Sequence, residues 1–158
     1  MNEKRTDSLE QKLYECNRHV EKLNDAKEYL TDIMPLTLEQ YININKIQSS
    51  FIDQMNFRFS KLQDTIGESL LKGILLLVKE DVKRMTFLDI LNRLEALDVL
   101  DKNIWLNLRE VRNEIAHEYS FNQDEVVDNI NIIYTKSDKL IEVYKSLILY
   151  INKNDSSK

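Results

Sequence analysis

The sequence predicts an all-α fold: one domain of about five helices. Three observations point there. Gly67, Gly73 and Pro35 are the only glycines and proline in 158 residues. Sandwiches, barrels and doubly wound sheets need frequent tight turns, which favour Gly, Pro, Asn and Asp. Only Asn and Asp are plentiful here. Apolar residues also recur at steps of three and four, the spacing of amphipathic helices. Finally, several of these runs open on a Thr or Asn with a Gln, Asp or Glu three residues on, the pattern of an N-terminal cap. A chain of this size can bury about two-thirds of its unfolded surface, and its Leu, Ile and Val content argues against disorder.

The first predicted helix spans 7–33. Leu9, Leu13, Cys16, Val20, Leu23 and Leu30 form its apolar face, with Tyr14 and Tyr29 beside them. Pro35 ends or kinks it. Thr37 and Gln40 form a capping box for the second helix, predicted over 37–79. Its apolar positions run through Tyr41, Ile44, Ile47, Phe51, Met55, Phe59, Leu62, Ile66, Leu70, Ile74 and Leu77. One continuous helix here would be about 60 Å long, with a bend at Gly67 or Gly73. Both glycines read as points of close helix packing. Asp81–Met85 is a polar connector. Thr86 and Asp89 cap a third helix over 86–98. Asp101–Asn103 is a turn, and a fourth helix covers 103–119. Asn122 and Glu125 cap the last helix, over 122–152, and 153–158 is a polar, frayed tail.

Composition excludes several functions. Two glycines six apart cannot build a Gly-rich phosphate loop. The net charge of −5 argues against a protein that coats nucleic acid with a broad basic face. It leaves room for a local cationic site. The single cysteine, Cys16, permits no intrachain disulfide and no cysteine metal cluster, and reads as a reduced thiol. No His, Asp and Glu spacing matches a helical metal site, and no cofactor is expected. The N-terminus lacks the apolar core of a signal peptide. The most apolar run, Leu70–Val78, is too short to span a bilayer and contains Lys72. A soluble, cytoplasmic protein with no membrane contact is expected.

Most charge in the chain reads as solvated helix surface. The fourth helix is different. Projected at about 100° per residue, Ile104, Leu108, Val111 and Ile115 form a core stripe, with Tyr119 at its edge. Arg109, Asn113 and His117 form a second stripe, and Arg112 sits between the two. An imidazole, a carboxamide and two guanidinium groups on adjoining surfaces suit phosphodiester cleavage. Histidine moves a proton near neutral pH. Arginine holds a phosphate at two points and stabilises the charge that builds during transfer. In RNA the 2′-hydroxyl is a built-in nucleophile, so such cleavage needs no metal. Spacing alone fits surface and capping residues better, since a cation near a helix C-terminus is favoured anyway. Of the remaining candidates, His19 has no metal-ligand partner and reads as a surface or packing residue. Trp105 reads as a packing anchor rather than a base-stacking platform.

The string Arg112-Asn113-Glu114-Ile115-Ala116-His117-Glu118-Tyr119 has the form R-N-x3-H-x-Y. It resembles the HEPN superfamily (higher eukaryote and prokaryote nucleotide-binding domains), and within it the HepT-like toxins of prokaryotic HEPN/MNT toxin–antitoxin pairs. Leu62-Gln63-Asp64-Thr65-Ile66-Gly67-Glu68 looks like a stretch those toxins carry in an earlier helix. The resemblance implies an antiparallel helical bundle that pairs as a homodimer, with both motifs facing one cleft. It implies a metal-independent endoribonuclease toxin of a type VII-like system, acting on RNA. In that reading Arg112 binds the scissile phosphate, His117 transfers protons and Asn113 is a polar helper. Tyr119 matches the tyrosine implicated as a target of adenylylation (AMPylation) by the cognate antitoxin, an MNT-type nucleotidyltransferase. Arg109 lies outside the motif and is a candidate second phosphate contact, or else an exposed ion-pair partner of an acid. The chain is longer than a minimal toxin of this kind, and Glu110, Glu114 and Glu118 lower the local potential. These departures keep an alternative open: a catalytically silent HEPN partner, or a nucleotide- or substrate-binding subunit of a nucleotidyltransferase. A structural bundle with an accidental motif is the third reading.

Overall fold

A computed structural model describes the backbone of residues 2–117 and 121–155, and side chains for 8–116 and 121–155. Among the described residues the regular structure is helical throughout. α1 spans Asn2–Leu30 and ends in a 3₁₀ turn, Thr31–Ile33. α2 is the short Leu38–Ile42, α3 is Lys46–Thr65, and α4 is Leu71–Leu77. α3 and α4 are joined by a π-helical stretch, Ile66–Leu70. α5 is Phe87–Ala96 and α6 is Lys102–Glu114, followed by a 3₁₀ turn at Ile115–His117. α7 is Gln123–Asn154.

The expected caps are present. Thr37 and Gln40 form a reciprocal capping box, as do Thr86 and Asp89, and Asn122 accepts from the Glu125 amide. The helix expected over 37–79 is not continuous. Asn45 and Gln48 form another capping box and start α3 anew, so residues 43–45 break the run. The apolar period conceals this break, because Tyr41, Ile44 and Ile47 keep helical spacing across it. The helix expected to reach 119 also differs: its α winding ends at Glu114 and tightens to 3₁₀.

Helix ends explain how the chain manages without glycine. Lys79 and Asp98 both hold the left-handed backbone conformation, at φ 64 and 58. The Lys79 amide donates to the Leu76 carbonyl and the Glu80 amide to that of Leu75. The Asp98 and Val99 amides do the same to Glu95 and Leu94. Both are Schellman closures, with Lys and Asp where glycine is usual.

α1 runs antiparallel to α3 and α4. Leu9 meets Gly73, Arg58 hydrogen-bonds His19, Gln54 bonds the Lys22 carbonyl, and Phe51 stacks on Tyr29. α7 is antiparallel to α1. The Tyr144 hydroxyl donates to Asn17 Oδ1 at 2.7 Å, and Lys27 pairs with Asp138 while lying 4.6 Å from the Tyr134 ring centroid. The loop at Pro35 is held to α7 by both ends of the Asn131 amide, which bond the Leu36 amide and carbonyl at 2.7 and 2.9 Å. The buried core runs between these helices through Leu23, Leu30, Met55, Phe59, Leu62, Ile74, Leu94, Leu108, Leu140 and Leu147. No described helix is long and apolar enough to cross a membrane.

Candidate functional site

α6 begins with Asp101, whose side chain accepts from the Ile104 amide at 3.1 Å. Its rotation is set by what it buries. Leu108 and Val111 are buried as expected, while Ile104 and Ile115 are only partly so. Trp105 is fully buried and takes the deepest position. It packs against Gly67, where an added Cβ would lie 3.2 Å from its ring. Both glycines are indeed points of close packing, Gly73 against Leu9 at 3.1 Å.

With Trp105 against Gly67, the next two turns of α6 run back along α3. Arg112 then meets Asp64. Its Nε–H donates to Asp64 Oδ1 at 2.8 Å, and its Nη2 to Oδ2 at 3.0 Å. This is a two-point, side-on pair, and both side chains are part-buried. The hydrogen bond it donates to Asp64, working against partial burial, holds the guanidinium above its ordinary pKa, so it stays charged. Asp64 occupies the Nε–Nη2 edge. A planar guanidinium has a second edge, Nη1–Nη2, that a phosphate can take at two points.

Asp64 closes a row on α3. Asp53, Asn56, Ser60 and Asp64 follow at steps of three, four and four, so they share one face. That face borders a cavity of about 540 Å³ between α3, α6 and α7. Arg112 and Glu114 line it from α6, Ile115 from the 3₁₀ turn that follows, Val126, Asn129, Ile130 and Ile133 from α7, and Tyr41 from α2. Asn56 is 6% exposed, and its Oδ1 is buried with no hydrogen-bond donor. The Ser60 hydroxyl donates to the Asn56 carbonyl at 2.8 Å. Phe57, half exposed, also lines the cavity, and Arg58 and Lys61 lie 5.2 and 5.7 Å from its ring centroid. The charged lining is mixed: Lys61 and Arg112 against Asp53, Asp64 and Glu114. Arg109 is not among the residues that line this cavity with Arg112. Arg112 and Lys61 are set among three carboxylates.

The other sequence-derived candidates fall in different places. Arg109 turns away from this cavity and lies 4.6 Å from the Phe87 ring centroid, a cation–π contact with the start of α5. Asn113 is exposed and lines a neighbouring cavity of about 590 Å³ with Asn107, Glu110 and Lys136. The two cavities share Glu114, Asn129 and Ile133. The His117 backbone completes the 3₁₀ turn after α6, five residues beyond Arg112, and its side chain lies outside the described residues, as do Glu118 and Tyr119. His19 is a packing residue: Arg58 Nη1 donates to its Nδ1 at 3.0 Å, and burial followed by the Arg58 charge lowers its pKa. Cys16 is fully buried, and burial pushes its thiol up to about 12. Among the described residues no group of three or more His, Cys, Asp or Glu could hold a metal ion.

Sequence reasoning assigned no role to Asn56, Ser60, Phe57 or Lys61, and gave none to Asp64 within the stretch it quoted. One pattern could have found three of them. Polar residues recur at a four-residue step through the middle of a helix whose neighbouring positions, Met55, Phe59 and Leu62, are fully buried.

Fold and site together define a helical bundle with an arginine-headed cavity, the arginine braced by a carboxylate from an antiparallel neighbour. Comparison with protein-family models, curated proteins and solved structures found no match to the chain.

Proposed function

We propose that this chain is a metal-independent endoribonuclease toxin of the HEPN type. It acts as a homodimer and is restrained by an MNT-type nucleotidyltransferase antitoxin. The observation that carries this reading is Arg112. It heads the R-N-x3-H-x-Y string, borders a cavity, and is braced side-on by Asp64 with its other edge suited to a phosphate. Asp64 belongs to the second stretch that resembles those toxins, so two separate resemblances meet in one ion pair.

The chemistry is transesterification within the RNA strand. The 2′-oxygen attacks the adjacent phosphorus, its proton passes to a base, and the bond to the 5′-oxygen breaks as that oxygen takes up a proton. His117 fits the proton transfers, because an imidazole exchanges protons near neutral pH. Arg112 stabilises the charge that gathers on the non-bridging oxygens. Asn113 is the polar helper and Tyr119 the site of adenylylation. Arg109, engaged with Phe87, is no longer needed as a second phosphate contact.

The test is expression of wild type, Arg112→Ala and His117→Ala without partner, with growth and RNA cleavage measured in EDTA. Loss of one phosphate-stabilising arginine is expected to slow cleavage by about 100-fold or more. Equal behaviour of all three proteins overturns the reading. Gel filtration tests the dimer, since a strict monomer cannot join two motifs in one cleft.

One observation favours the second reading, a catalytically silent partner or substrate-binding subunit of a nucleotidyltransferase. The carboxylates lining the cavity outnumber its cations, which weakens attraction for a polyanion. In that case the partner co-purifies, Tyr119 carries no added mass, and wild type cleaves RNA no faster than Arg112→Ala.

A further inference from the structure

Two phenylalanine rings of α3 differ in what covers them. The Tyr29 ring stacks on Phe51 at 4.1 Å. Phe57 is 51% exposed, and among the described residues no ring stacks on it. What lies beside it is charge: Arg58 is 5.2 Å and Lys61 5.7 Å from its ring centroid. Among the described residues neither cation pairs with a carboxylate, whereas Lys12, Arg18, Lys27, Arg93, Arg112 and Lys139 all do. Burial first, and then the charges of Arg58 and Lys61 against that of Glu15, hold His19 below its ordinary pKa. This stretch of α3 is therefore locally positive in a chain of net charge −5.

Phe57, Lys61 and Asp64 follow at steps of four and three, so they share one helix face, and all three line the cavity that Arg112 borders. Phe57 stands seven residues from Asp64, about 10 Å along the axis, with Lys61 between them. Asp64 is already held by Arg112. Asp53 stands a turn beyond Phe57, away from Arg112. The way along α3 from the Phe57 ring to Arg112 thus passes over a cation with no carboxylate partner. Other exposed apolar side chains, such as Leu88 and Leu149, do not line this cavity.

We propose that Phe57 and Lys61 form a subsite for single-stranded RNA beside the scissile phosphate. One unstacked base lies on the Phe57 ring, and Lys61 contacts a phosphate of the same strand. The proposal rests on the phosphate role given to Arg112 above, and adds where the neighbouring nucleotide is held. An aromatic ring among cations is the arrangement on which single-stranded bases stack. Every base has a π-face, so the subsite takes any of the four. A duplex keeps those faces covered and is excluded. The flexible four-carbon stem of Lys61 lets its ammonium leave the ring for a phosphate, and no ion pair is broken when it does. Neither residue carries out chemistry; both hold the strand.

The test is binding of the full chain to three labelled probes, followed by fluorescence anisotropy. They are a short 2′-O-methyl uridine-tract strand, which 2′-hydroxyl attack cannot cleave, a strand of the same length built on abasic spacers, and a duplex of that length. The uridine strand is expected to bind best. Phe57→Ala is expected to weaken it about tenfold and to leave the abasic strand unchanged. Phe57→Leu stays apolar but loses the aromatic face, so it should weaken the uridine strand nearly as much; it decides alone should Phe57→Ala fail to fold. Phe57→Trp should bind at least as well as wild type. Lys61→Gln should weaken both single strands and lower the slope of log affinity against log salt by about 0.7. Leu149→Ala, at an exposed apolar position outside the cavity lining, should change nothing. With cleavable RNA, Phe57→Ala should raise KM about tenfold and change kcat by less than about twofold.

A wild type that binds the uridine strand no better than the abasic strand or the duplex overturns the subsite. So does a Phe57→Ala that binds the uridine strand as wild type does, or that weakens the uridine and abasic strands alike. Phe57-dependent binding without Arg112-dependent cleavage upholds the subsite and removes the nuclease reading. Arg112-dependent cleavage with kcat and KM untouched by Phe57→Ala does the reverse.

Discussion

Toward α1, α3 presents Phe51, Gln54 and Arg58, and each has a partner: the Tyr29 ring, the Lys22 carbonyl and the His19 imidazole. Toward α6 and α7 it presents Asp53, Asn56, Ser60 and Asp64 around a cavity, where the Asn56 acceptor has no donor. One helix thus carries a fully satisfied seam on one side and an incompletely satisfied one on the other. The difference teaches where this helix has placed its packing and where it has left polar groups around a cavity. Natural proteins break local rules at functional sites and compensate elsewhere. Here the compensation lies between the two sides, in Met55, Phe59, Leu62 and Ile66, all fully buried.

The sharpest way to separate the two sides is to mutate neighbours. Phe59→Ala should cost about 3–5 kcal/mol in denaturant unfolding, because it empties a fully buried ring position. Ser60→Ala, one residue on and beside the cavity, should change stability by less than about 1 kcal/mol. Its hydroxyl bonds only a helix carbonyl one turn back, and alanine is the better helix former. Comparable losses at both positions would erase the contrast.

Next in size is Gly67→Ala. The new methyl group would meet the Trp105 ring at 3.2 Å, and that ring is fully buried. Overpacking should outweigh the gain in helix propensity and leave a net loss of about 1–2 kcal/mol. Gly73→Ala meets only the tip of the half-buried Leu9. It should be neutral or slightly stabilising by thermal melt.

Asp64→Asn keeps the shape of the carboxylate and removes its charge. Because the pair with Arg112 is about a third exposed, the loss of stability should be about 1 kcal/mol. The same change should leave Arg112 less firmly oriented, which cleavage rates at saturating and limiting RNA would resolve.

The smallest effect is the pH dependence of the α1 side. His19 titrates below its ordinary 6.5 in the folded chain, so the unfolded chain takes up the proton first as pH falls. Its contribution is therefore complete above about pH 6.5 and is lost as pH falls through the lowered value. Denaturant midpoints between pH 7.5 and 5 should fall, and His19→Gln should flatten part of that slope.

Much of the fold was legible because caps are local. Thr37 with Gln40, Thr86 with Asp89 and Asn122 with Glu125 are readable from residue types alone, and all three cap helices. Trp105 was rightly expected to be an anchor. The break at 43–45 was hidden because a hydrophobic period runs on through it. The π-helical stretch was hidden for a different reason: an extra residue inside a helix leaves no composition mark. At the site, Arg112 was legible through its string. Its partner Asp64 was within a quoted stretch, but only tertiary packing brings a residue 48 positions away to within 3 Å. Asn56 was passed over because a polar residue on a helix is solvated by default, and only its four-residue step to Ser60 and Asp64 sets it apart.

The π-helical stretch at Ile66–Leu70 has a consequence for the evolution of insertions and deletions. A π turn holds one residue more than the α-helical turn it replaces. The continuous helix therefore carries two phases. The residues before it address α6 and α7 with Asn56, Ser60 and Asp64, and those after it address the core with Leu71, Ile74 and Leu75. Deleting a single residue beside the stretch, with the π turn kept, would swing one phase by about 100° against the other. The core and the cavity could not both survive that swing. A change that a surface loop absorbs without effect would here force the protein to keep either its packing or its pocket.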